Sequence, residues 1–426
     1  MEKVWPYRVD GEVGRIECST YRVVQGDAVL YDTAQDLFPS LGCWERYETR
    51  GFKELACIRG VTEQSYNKTA RWLNRLRHQD GATGSTTLRV GAEREGRKVL
   101  DCLERTTREI LQHEGCDDTG QPLNPRLLQT QAPTIISAEL VTEAIDACQL
   151  TADERAEVER NPVPSEDPAK TVNVSVDDVV VKQQKPHRRR PEEHQEIVEG
   201  EETNHGRKYV HNTVAHLQHQ EQSYCIAEQG VPTVLRVLLG YLLTNRLLNG
   251  RIQFFVDGQK TLHAAILKAF AWFGNRGMIL DGYPLEDKCA RQLSLAMKGA
   301  ELRNDALSAL SALLWWGRAD SAQALLQRLP EANLKKPEEI RVLIGYLERN
   351  RPYLPCYEIR KRLGLRNSSN IGEKMNDLLV SNRQKHHGMS WSAGGSIALA
   401  ALEALKRNYD YQHWLEYHEI ELKRVA

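Results

Sequence analysis

The sequence predicts an α/β fold preceded by a mostly helical amino-terminal region. Residues 171–181 place β-branched side chains at alternating positions, which is the pattern of a half-buried or fully buried strand. Farther along the chain, apolar segments at residues 252–256 and 278–280 flank a helical pattern at residues 261–270. Strands that alternate with helices in this way indicate a sheet with crossover connections.

Composition restricts the class of protein. The chain has 426 residues, enough for two to four domains, and its 41% of hydrophobic residues is ordinary for a globular protein. The longest apolar stretches, such as residues 237–243, are far shorter than the roughly 20 residues that cross a bilayer. The amino terminus lacks a secretory-signal pattern and the nine cysteines form no CxxC pair. We therefore expect a cytoplasmic protein without a membrane span, disulfides or a zinc module.

Charge is balanced over the whole chain but not locally. Lys and Arg number 57 against 58 Asp and Glu, and this net charge of -1 argues against bulk coating of nucleic acid. Between residues 341 and 388 there are ten Lys or Arg and four Asp or Glu, a local excess of six positive charges. Such a segment could contact phosphates, and it could equally be a solvated helical face.

One amino-terminal segment has a helix-turn-helix pattern. Residues 52–59 predict a short amphipathic helix, Gly60 predicts a turn, and residues 61–77 predict a second helix with Thr62 as its N-cap. Near its start the second helix has side chains of the types that bind base edges and phosphates: Gln64, Ser65, Asn67, Lys68 and Arg71. Any helical hairpin with a glycine turn shows the same local pattern, so a purely structural interpretation stays open.

The rest of the chain divides into strands, helices and loops. In chain order we predict strand-like alternation at 15–32, a loop or arm at 77–97, a helix at 97–113, linkers at 161–170 and 182–207, strands at 208–219 and 223–227, a helix at 232–248, and a helical region at 285–365.

Two carboxylates stand at or near the ends of predicted strands. Asp177 follows the alternating valines of residues 172–176, and Asp281 directly follows the apolar segment 278–280. Strand ends in open α/β sheets are where functional side chains collect, and oxygen ligands of this kind suit Mg²⁺. Acidic residues after strands are also common turn formers, and Asp257 before Gly258 fits that interpretation equally well.

A third carboxylate is needed to hold such a cluster, and Glu373 is the candidate. With Asn370 as N-cap, Glu373 would be the third helical residue and could instead close a capping box. The functional interpretation is favoured by the surrounding cations, since a site that cleaves phosphodiesters must neutralise phosphates. These neighbours are Arg366, Lys374, Arg383, Lys385, His386 and His387.

Several strings of this sequence together resemble a known family. They are VSVDD at 174–178, FFVDG at 254–258, ILDGY at 279–283, LERNRPYLPCYEIRKRLGLRNSSN at 347–370 and GEKMNDLLVSNRQKHHGMSWS at 372–392. In this order they resemble bacterial insertion-sequence transposases of the DDE, RNase H-like class, which are related to Mutator-like transposases. The resemblance covers about residues 171–400, and an ordered set of strings is more specific than one short motif.

The resemblance implies a fold, a site and a reaction. The fold would be an RNase H-like mixed sheet with a helical insertion before the last acidic residue. The catalytic and metal-binding residues would be Asp177, Asp281 and Glu373, with Asp178 as an alternative to its neighbour, and they would hold two Mg²⁺ or Mn²⁺ ions. The reaction would be cleavage of insertion-sequence ends and strand transfer to target DNA, as in transposition of a mobile element.

The resemblance also implies a domain plan and partners. Residues 1–165 would recognise the element ends, residues 166–284 and 366–426 would form the catalytic domain, and residues 285–365 would form the insertion. Arg366, Lys374, Arg383 and Lys385 would contact DNA. The protein would act as a homodimer or higher oligomer on DNA, in the bacterial cytoplasm and associated with the nucleoid.

The chain departs from the family pattern just after the second aspartate. Relatives usually have an aromatic residue there and a histidine three positions on, whereas this chain has Gly282 and Pro284. A histidine at that place could orient the carboxylate or contact the scissile phosphate. An alternative function is therefore a transposase-derived, sequence-specific DNA-binding protein with weak or no catalytic activity.

Overall fold

The structure is a computed structural model that describes residues 2–10, 14–25, 28–32, 50–63, 65–123, 136–161, 167–185, 208–386 and 388–423. These residues have a mixed α/β architecture with one three-stranded sheet, one five-stranded sheet and many helices. The chain divides into two compact units. The first comprises Met1–Leu103, Val180–Asn212 and Leu378–Ile420, and the second comprises Glu104–Val179, Thr213–Asp377 and Glu421–Ala426.

The amino terminus forms the small sheet. Strands β1 (Glu2–Asp10), β2 (Arg15–Gln25) and β3 (Ala28–Asp32) pair antiparallel in that order. The alternation predicted at 15–32 is thus confirmed as two strands. The first strand, β1, was not predicted, and it shows that the amino-terminal region is less uniformly helical than its composition indicates.

The five-stranded sheet is built from β4 (Val172–Lys182), β5 (Tyr209–His219), β6 (Gln222–Glu228), β7 (Ile252–Val256) and β8 (Arg276–Leu280). The spatial order is β6-β5-β4-β7-β8, with β4, β7 and β8 parallel and β5 antiparallel to β6. All five predicted strands are confirmed to within a few residues. The mixed pairing and the strand order are compatible with an RNase H-like sheet.

Hydrophobic burial explains why the two kinds of strand differ in sequence. In β4 the valines at 172, 174 and 176 are buried while the intervening residues are partly exposed, so this strand alternates. Every residue of β7 is buried, including Gln253, which is why four of the five residues of IQFFV are apolar without alternation. Phe254 of β7 packs on Phe270, with ring centroids 5.3 Å apart.

Helices make up most of the remaining described chain. Those before the large sheet are α1 (Arg50–Thr62), α2 (Tyr66–Leu76), α3 (Ser85–His113), α4 (Ala138–Asp146) and α5 (Ala152–Glu159). Those within and after it are α6 (Val231–Thr244), α7 (Lys260–Ala269), α8 (Gly282–Ala296), α9 (Ala300–Trp315), α10 (Ala319–Gln327), α11 (Pro337–Asn350), α12 (Tyr357–Arg362), α13 (Asn370–Asn376), α14 (Asn382–Gln384), α15 (Ala393–Arg407) and α16 (Tyr411–Tyr417). No helix in the described ranges is long and apolar enough to cross a membrane.

The helix-turn-helix boundaries differ from the prediction. Helix α1 continues through Gly60 to Thr62, and α2 begins at Tyr66. Thr62 is therefore not an N-cap: its hydroxyl donates back to the carbonyl of Ile58 at 2.8 Å. The cap is Ser65, whose hydroxyl accepts a hydrogen bond from the Lys68 amide at 3.2 Å.

The loop predicted at 77–97 is largely helix, so that prediction is wrong. Helix α3 begins at Ser85 and runs 29 residues to His113. Its threonines and glycines predicted a loop, but Leu88, Ala92 and Val99 recur at helical spacing and are all buried. Tertiary packing of this apolar face outweighs the weak helix propensity of the surrounding residues.

Candidate active site at the strand ends

Asp177 lies inside β4, two residues past its last pair with β7, and not at the end of the strand as predicted, whereas Asp281 directly follows β8. The β4–β7 pairing ends at Ser175 opposite Phe255, and the β7–β8 pairing ends at Val256 opposite Leu280. Asp281 follows immediately, and its amide extends the ladder by donating to the carbonyl of Val256 at 2.8 Å. Because the three strands are parallel, their carboxyl ends lie at the same side of the sheet.

Asp281 is buried, and its carboxylate has two distinct sets of donors. Its Oδ1 accepts the Tyr283 amide at 3.1 Å, which makes Asp281 the N-cap of α8. Its Oδ2 accepts the Ser369 amide at 2.7 Å and also the Ser369 hydroxyl. The second aspartate is thus held by its own helix on one side and by the segment before α13 on the other.

Asp177 is held by the last residue of α13. Its Oδ2 accepts the side-chain amide of Asn376 at 2.7 Å, and its Oδ1 accepts the Asp178 amide at 2.8 Å. The adjacent Asp178 instead accepts a hydrogen bond from the hydroxyl of Thr213 on β5. Of the two candidates for the first acidic position, Asp177 is therefore the one directed to α13.

Glu373 lies between the two contacts, on α13. The N-cap of this helix is Ser369 rather than Asn370, and the structure shows no side-chain capping bond there. The capping-box interpretation of Glu373 is therefore wrong, because with Ser369 as N-cap Glu373 is the fourth helical residue and not the third. Glu373 is exposed, but nearby protein removes part of the water around its carboxyl, and this desolvation raises its pKa. The negative charges of Asp281, Asp177 and Asp287 raise the pKa further.

The charges of Asp281 and Asp177 thus act on the carboxyl of Glu373. Like charges at short range disfavour each other's ionised form, and a cation between them would remove that penalty. The donor set consists only of carboxylate oxygens, which is the set that Mg²⁺ and Mn²⁺ prefer. In the chemistry of their donors, the residues fit a divalent cation.

The geometry of the described residues stops short of a finished metal site. Within the ranges that the structure describes, no group of three or more His, Cys, Asp or Glu side chains is arranged so that it could hold a metal ion. Both aspartates are instead engaged by amide and hydroxyl donors. Ligation of a shared cation would therefore require small rearrangements of these side chains.

Helix α13 approaches β4 at a glycine. A methyl group on Gly372 would lie 2.1 Å from Ser175 Oγ and 2.8 Å from Ser175 Cβ, closer than real contacts allow. Glycine at 372 is thus required for α13 to lie on β4 next to Asp177. Its neighbour Glu373 gains its position beside the aspartates from this close approach.

Gly372→Ala is expected to lower the free energy of unfolding by about 1–3 kcal/mol, the usual cost of overpacking. Chemical denaturation measures this change. Gly91→Ala is the matched control, because a methyl group at that helical glycine meets nothing within 4 Å and alanine improves helix propensity. The double variant with Ser175→Gly should recover the loss; equal stability of Gly372→Ala and wild type would contradict the close packing.

A cavity of about 340 Å³ opens beside Asp281. Its walls include the exposed side chains of Tyr283 and Trp315 and the buried ring of Tyr357. Trp315 stacks on Tyr357 with ring centroids 5.8 Å apart, and Tyr357 donates its hydroxyl to the carbonyl of Leu280 at 2.8 Å. An aromatic wall is thus fixed to the end of the strand that leads to Asp281.

Gly282 and Pro284 fit the first turn of α8. Proline is tolerated there because the first amides of a helix have no intrahelical partner. A side chain at Gly282 would meet nothing closer than 3.7 Å, so its glycine is not imposed by packing. Asp281 is oriented by Ser369 and Tyr283, contacts that do not depend on a histidine at 284.

Asp257 belongs to a turn and not to the group of candidate acids Asp177, Asp281 and Glu373. Its Oδ1 accepts the Gln259 amide at 2.9 Å, and Gly258 adopts φ +91°. Burial lowers the pKa of His263, and the negative charge of Asp257 opposes part of that shift. The turn interpretation of this aspartate agrees with these contacts.

The predicted recognition helix presents part of its polar set to solvent. Asn67, Lys68 and Arg71 are exposed on α2, whereas Ser65 is half-buried and its hydroxyl caps the helix. Gln64 lies outside the described residues. A hydrogen bond links α2 to α1, because the Thr69 hydroxyl donates to the carbonyl of Arg59 at 3.3 Å.

The carboxy-terminal cations occupy different environments. Lys374 and Lys385 are exposed. Arg366 is half-buried. Burial of His216 lowers the pKa of that histidine to about 4, and the positive charge of Arg366 contributes to the shift. Arg383 is 5% exposed and donates from Nε to the carbonyl of Gly60 at 3.1 Å. This set is therefore not one uniform basic face.

Sequence reasoning missed Ser369, Asn376 and Gly372. The first two are polar residues of ordinary types, and nothing in their local composition marks them. One signal was present: residues 369, 373 and 376 follow the i, i+4, i+7 spacing that puts side chains on one helix face.

Comparisons with known proteins add little to this geometry. No protein-family model matches the chain, and no curated protein matches it. Among solved structures, the Drosophila P element transposase strand transfer complex matches at a TM-score of 0.24 and 8% identity, over 91% of this chain and 85% of that one. A similarity this weak establishes neither a shared fold nor a function.

Proposed function

We propose that this chain is a DNA transposase that binds insertion-sequence ends and performs metal-dependent strand cleavage and strand transfer. The observation that supports this most is the attachment of the helix that bears Glu373 to both Asp281 and Asp177. Loss of water around the Glu373 carboxyl and the charges of the two aspartates raise its pKa, and perturbed pKa values cluster at functional sites.

The fold we propose for the catalytic part is RNase H-like. If the five strands of the large sheet are numbered along the chain, their order across the sheet is 3-2-1-4-5. Strands 4 and 5 are parallel to strand 1. We assign residues 166–284 and 366–426 to this part, residues 285–365 to a helical insertion, and residues 1–165 to recognition of the element ends.

In this proposal the chain's own residues divide the work. Asp177, Asp281 and Glu373 would hold two Mg²⁺ or Mn²⁺ ions. Divalent ions at such a site supply Lewis acidity that activates an attacking hydroxyl and stabilises the leaving oxygen of a phosphodiester. Exposed Lys374 and Lys385 would neutralise backbone phosphates, and the exposed rings of Tyr283 and Trp315 offer stacking surfaces for unpaired bases.

End recognition is assigned to α2, and one charge on it can be tested. Lys68→Ala is expected to weaken DNA binding uniformly and to reduce the slope of log affinity against log salt by about one, the loss of one phosphate contact. Titrations of duplex DNA that flanks the gene, at several salt concentrations, measure the slope. Lys98→Ala on α3 is the control, since it removes an equally exposed lysine. Identical slopes for both variants would exclude α2 from the interface.

A second candidate function is a DNA-binding protein without chemistry. It is favoured by the lack, among described residues, of a group of three acids placed to hold a metal, and by Gly282 and Pro284 in place of the family residues. Such a protein would act by occupying its sites. It would share the salt-dependent affinity of a transposase and differ from it only in cleavage.

The experiment that separates the two candidates is a cleavage assay on DNA carrying the flanks of the gene. The wild-type protein is incubated with labelled duplex in Mg²⁺, in Mn²⁺ and in EDTA, and strand breaks are mapped. Breaks at fixed positions that require a divalent ion support the transposase. Specific binding without breaks in either ion supports the second candidate, and absence of salt-dependent binding contradicts both.

A further inference from the structure

The segment that bears Glu373 is attached at both ends to the other two acids. At its start, Ser369 donates from its amide at 2.7 Å, and from its hydroxyl, to Oδ2 of Asp281. At its end, Asn376 donates to Oδ2 of Asp177 at 2.7 Å. Since 369, 373 and 376 follow i, i+4, i+7 spacing, the two donors flank Glu373 on one face of α13.

These hydrogen bonds oppose the electrostatic repulsion between Glu373 and the nearby aspartates. Glu373 is repelled by three aspartates, so without a cation α13 would tend to move away from the strand ends. Hydrogen bonds to charged acceptors are about twice as strong as neutral ones and therefore oppose that repulsion effectively. The two donors add no charge themselves, so they hold the carboxylates without replacing a cation.

The same contacts orient the carboxylates. Ser369 places two donors on one oxygen of Asp281, which fills both lone pairs of Oδ2 and leaves Oδ1 with one lone pair beside its bond to the Tyr283 amide. Oδ1 of Asp177 accepts the Asp178 amide, and Oδ2 accepts the side-chain amide of Asn376. The direction from which a cation could approach either carboxylate is thereby restricted.

We propose that Ser369 and Asn376 are positioning residues that clamp α13 onto Asp281 and Asp177, so that Glu373 is kept near the two aspartates before a divalent cation binds. This inference rests on the proposed function in one respect, the binding of a divalent cation by the acids. Neither residue touches the substrate or reacts. Gly372 allows the clamp to close, because α13 lies directly on Ser175 there.

The first test uses metal-free protein and so does not depend on the proposed function. Amide hydrogen exchange is measured for residues 369–376 in wild type, Ser369→Ala and Asn376→Ala. We expect faster exchange across the segment in both variants. Ser368→Ala is the control, as it removes the neighbouring hydroxyl, and Ser369→Thr keeps a hydroxyl and should restore protection. Exchange equal to wild type in both alanine variants would overturn the clamp.

The second test measures Mn²⁺ affinity of the full chain by calorimetry. Removing partners of metal-ligating carboxylates typically weakens affinity by about 10–100-fold, and we expect this for Ser369→Ala and for Asn376→Ala. Ser369→Thr and Ser368→Ala should bind as wild type does. Unchanged affinity in both alanine variants overturns the positioning role while leaving the proposed function in place. Absence of Mn²⁺ binding in wild type refutes the proposed metal chemistry and with it this role, even if the exchange test finds a clamp.

Discussion

Replacing Glu373 with glutamine is expected to lower the rate of metal-dependent strand cleavage by about a thousandfold or more while leaving the protein at least as stable as wild type. A ligand carboxylate contributes several kcal/mol to the stabilisation of charge in phosphodiester cleavage, and each 1.36 kcal/mol changes the rate about tenfold. The substitution is nearly isosteric. It removes a charge that Asp281 and Asp177 repel, and no hydrogen bond of the Glu373 side chain is among those the structure shows in the described residues.

The stability part of this prediction follows from the direction of the pKa shift. Because the folded state raises the pKa of Glu373, it binds the proton more tightly than the unfolded chain does. The contribution of this group therefore turns unfavourable as pH rises from the unfolded pKa through the higher folded pKa, and the full penalty is present above the folded pKa. Glutamine carries no such penalty, so the pH dependence of the melting temperature should be weaker in the variant.

The measurements are the cleavage rate in Mn²⁺ and the melting temperature between pH 4 and pH 8. Glu301→Gln is the matched control, because Glu301 is an exposed glutamate on α9 away from the acid cluster. It should change neither quantity. Full cleavage activity in Glu373→Gln would remove this residue from the reaction, and a large fall in its melting temperature would show that its charge stabilises the fold instead.

Arg383→Ala is expected to destabilise the first unit by about 3 kcal/mol, the combined loss of a buried charged hydrogen bond and of cation–π contacts. The guanidinium lies 5.0 Å from the ring centroid of Tyr66 and 5.2 Å from that of Trp391. The side chain is buried, and this burial lowers its pKa. An arginine in this environment supports α1 through Gly60 and α2 through Tyr66.

The sequence-based prediction for Arg383 is a DNA contact, and the same variant separates the two roles. A DNA contact predicts weaker binding with an unchanged melting temperature, whereas a structural arginine predicts a lower melting temperature. Lys385→Ala is the control, since Lys385 is exposed and two residues away. Surface substitutions of that kind usually change stability by less than about 0.5 kcal/mol. An unchanged melting temperature in Arg383→Ala would contradict the structural role.

Much of the fold could be predicted because its signals are local. The strands at 172–182 and 252–256 follow from alternating valines and from a continuous apolar run. Both patterns depend only on neighbouring residues and on which faces are buried. Predictions failed where composition and packing conflict, as in α3, whose loop-like threonines and glycines lie on a helix with a buried apolar face.

The candidate site was predictable in its acids but not in its support. Asp177 and Asp281 stand next to strand signals, so their placement follows from the strands. Ser369 binds a residue 88 positions away and Asn376 one 199 positions away, and no local pattern specifies such a pair. Arg383 likewise resembles a surface cation in sequence and is buried by residues more than 300 positions distant.

The sequence alone therefore determined the class of fold, the order of its main strands along the chain and the acids that could bind a cation. Only the tertiary structure decided the order of the strands in space, the contact of Asp177 and not Asp178 with Asn376, and the attachment of α13 to both aspartates. The physical reason is range. Backbone preference and hydrophobic periodicity act over a few residues, whereas hydrogen bonds, like-charge repulsion and close packing depend on which distant segments the folded chain brings together.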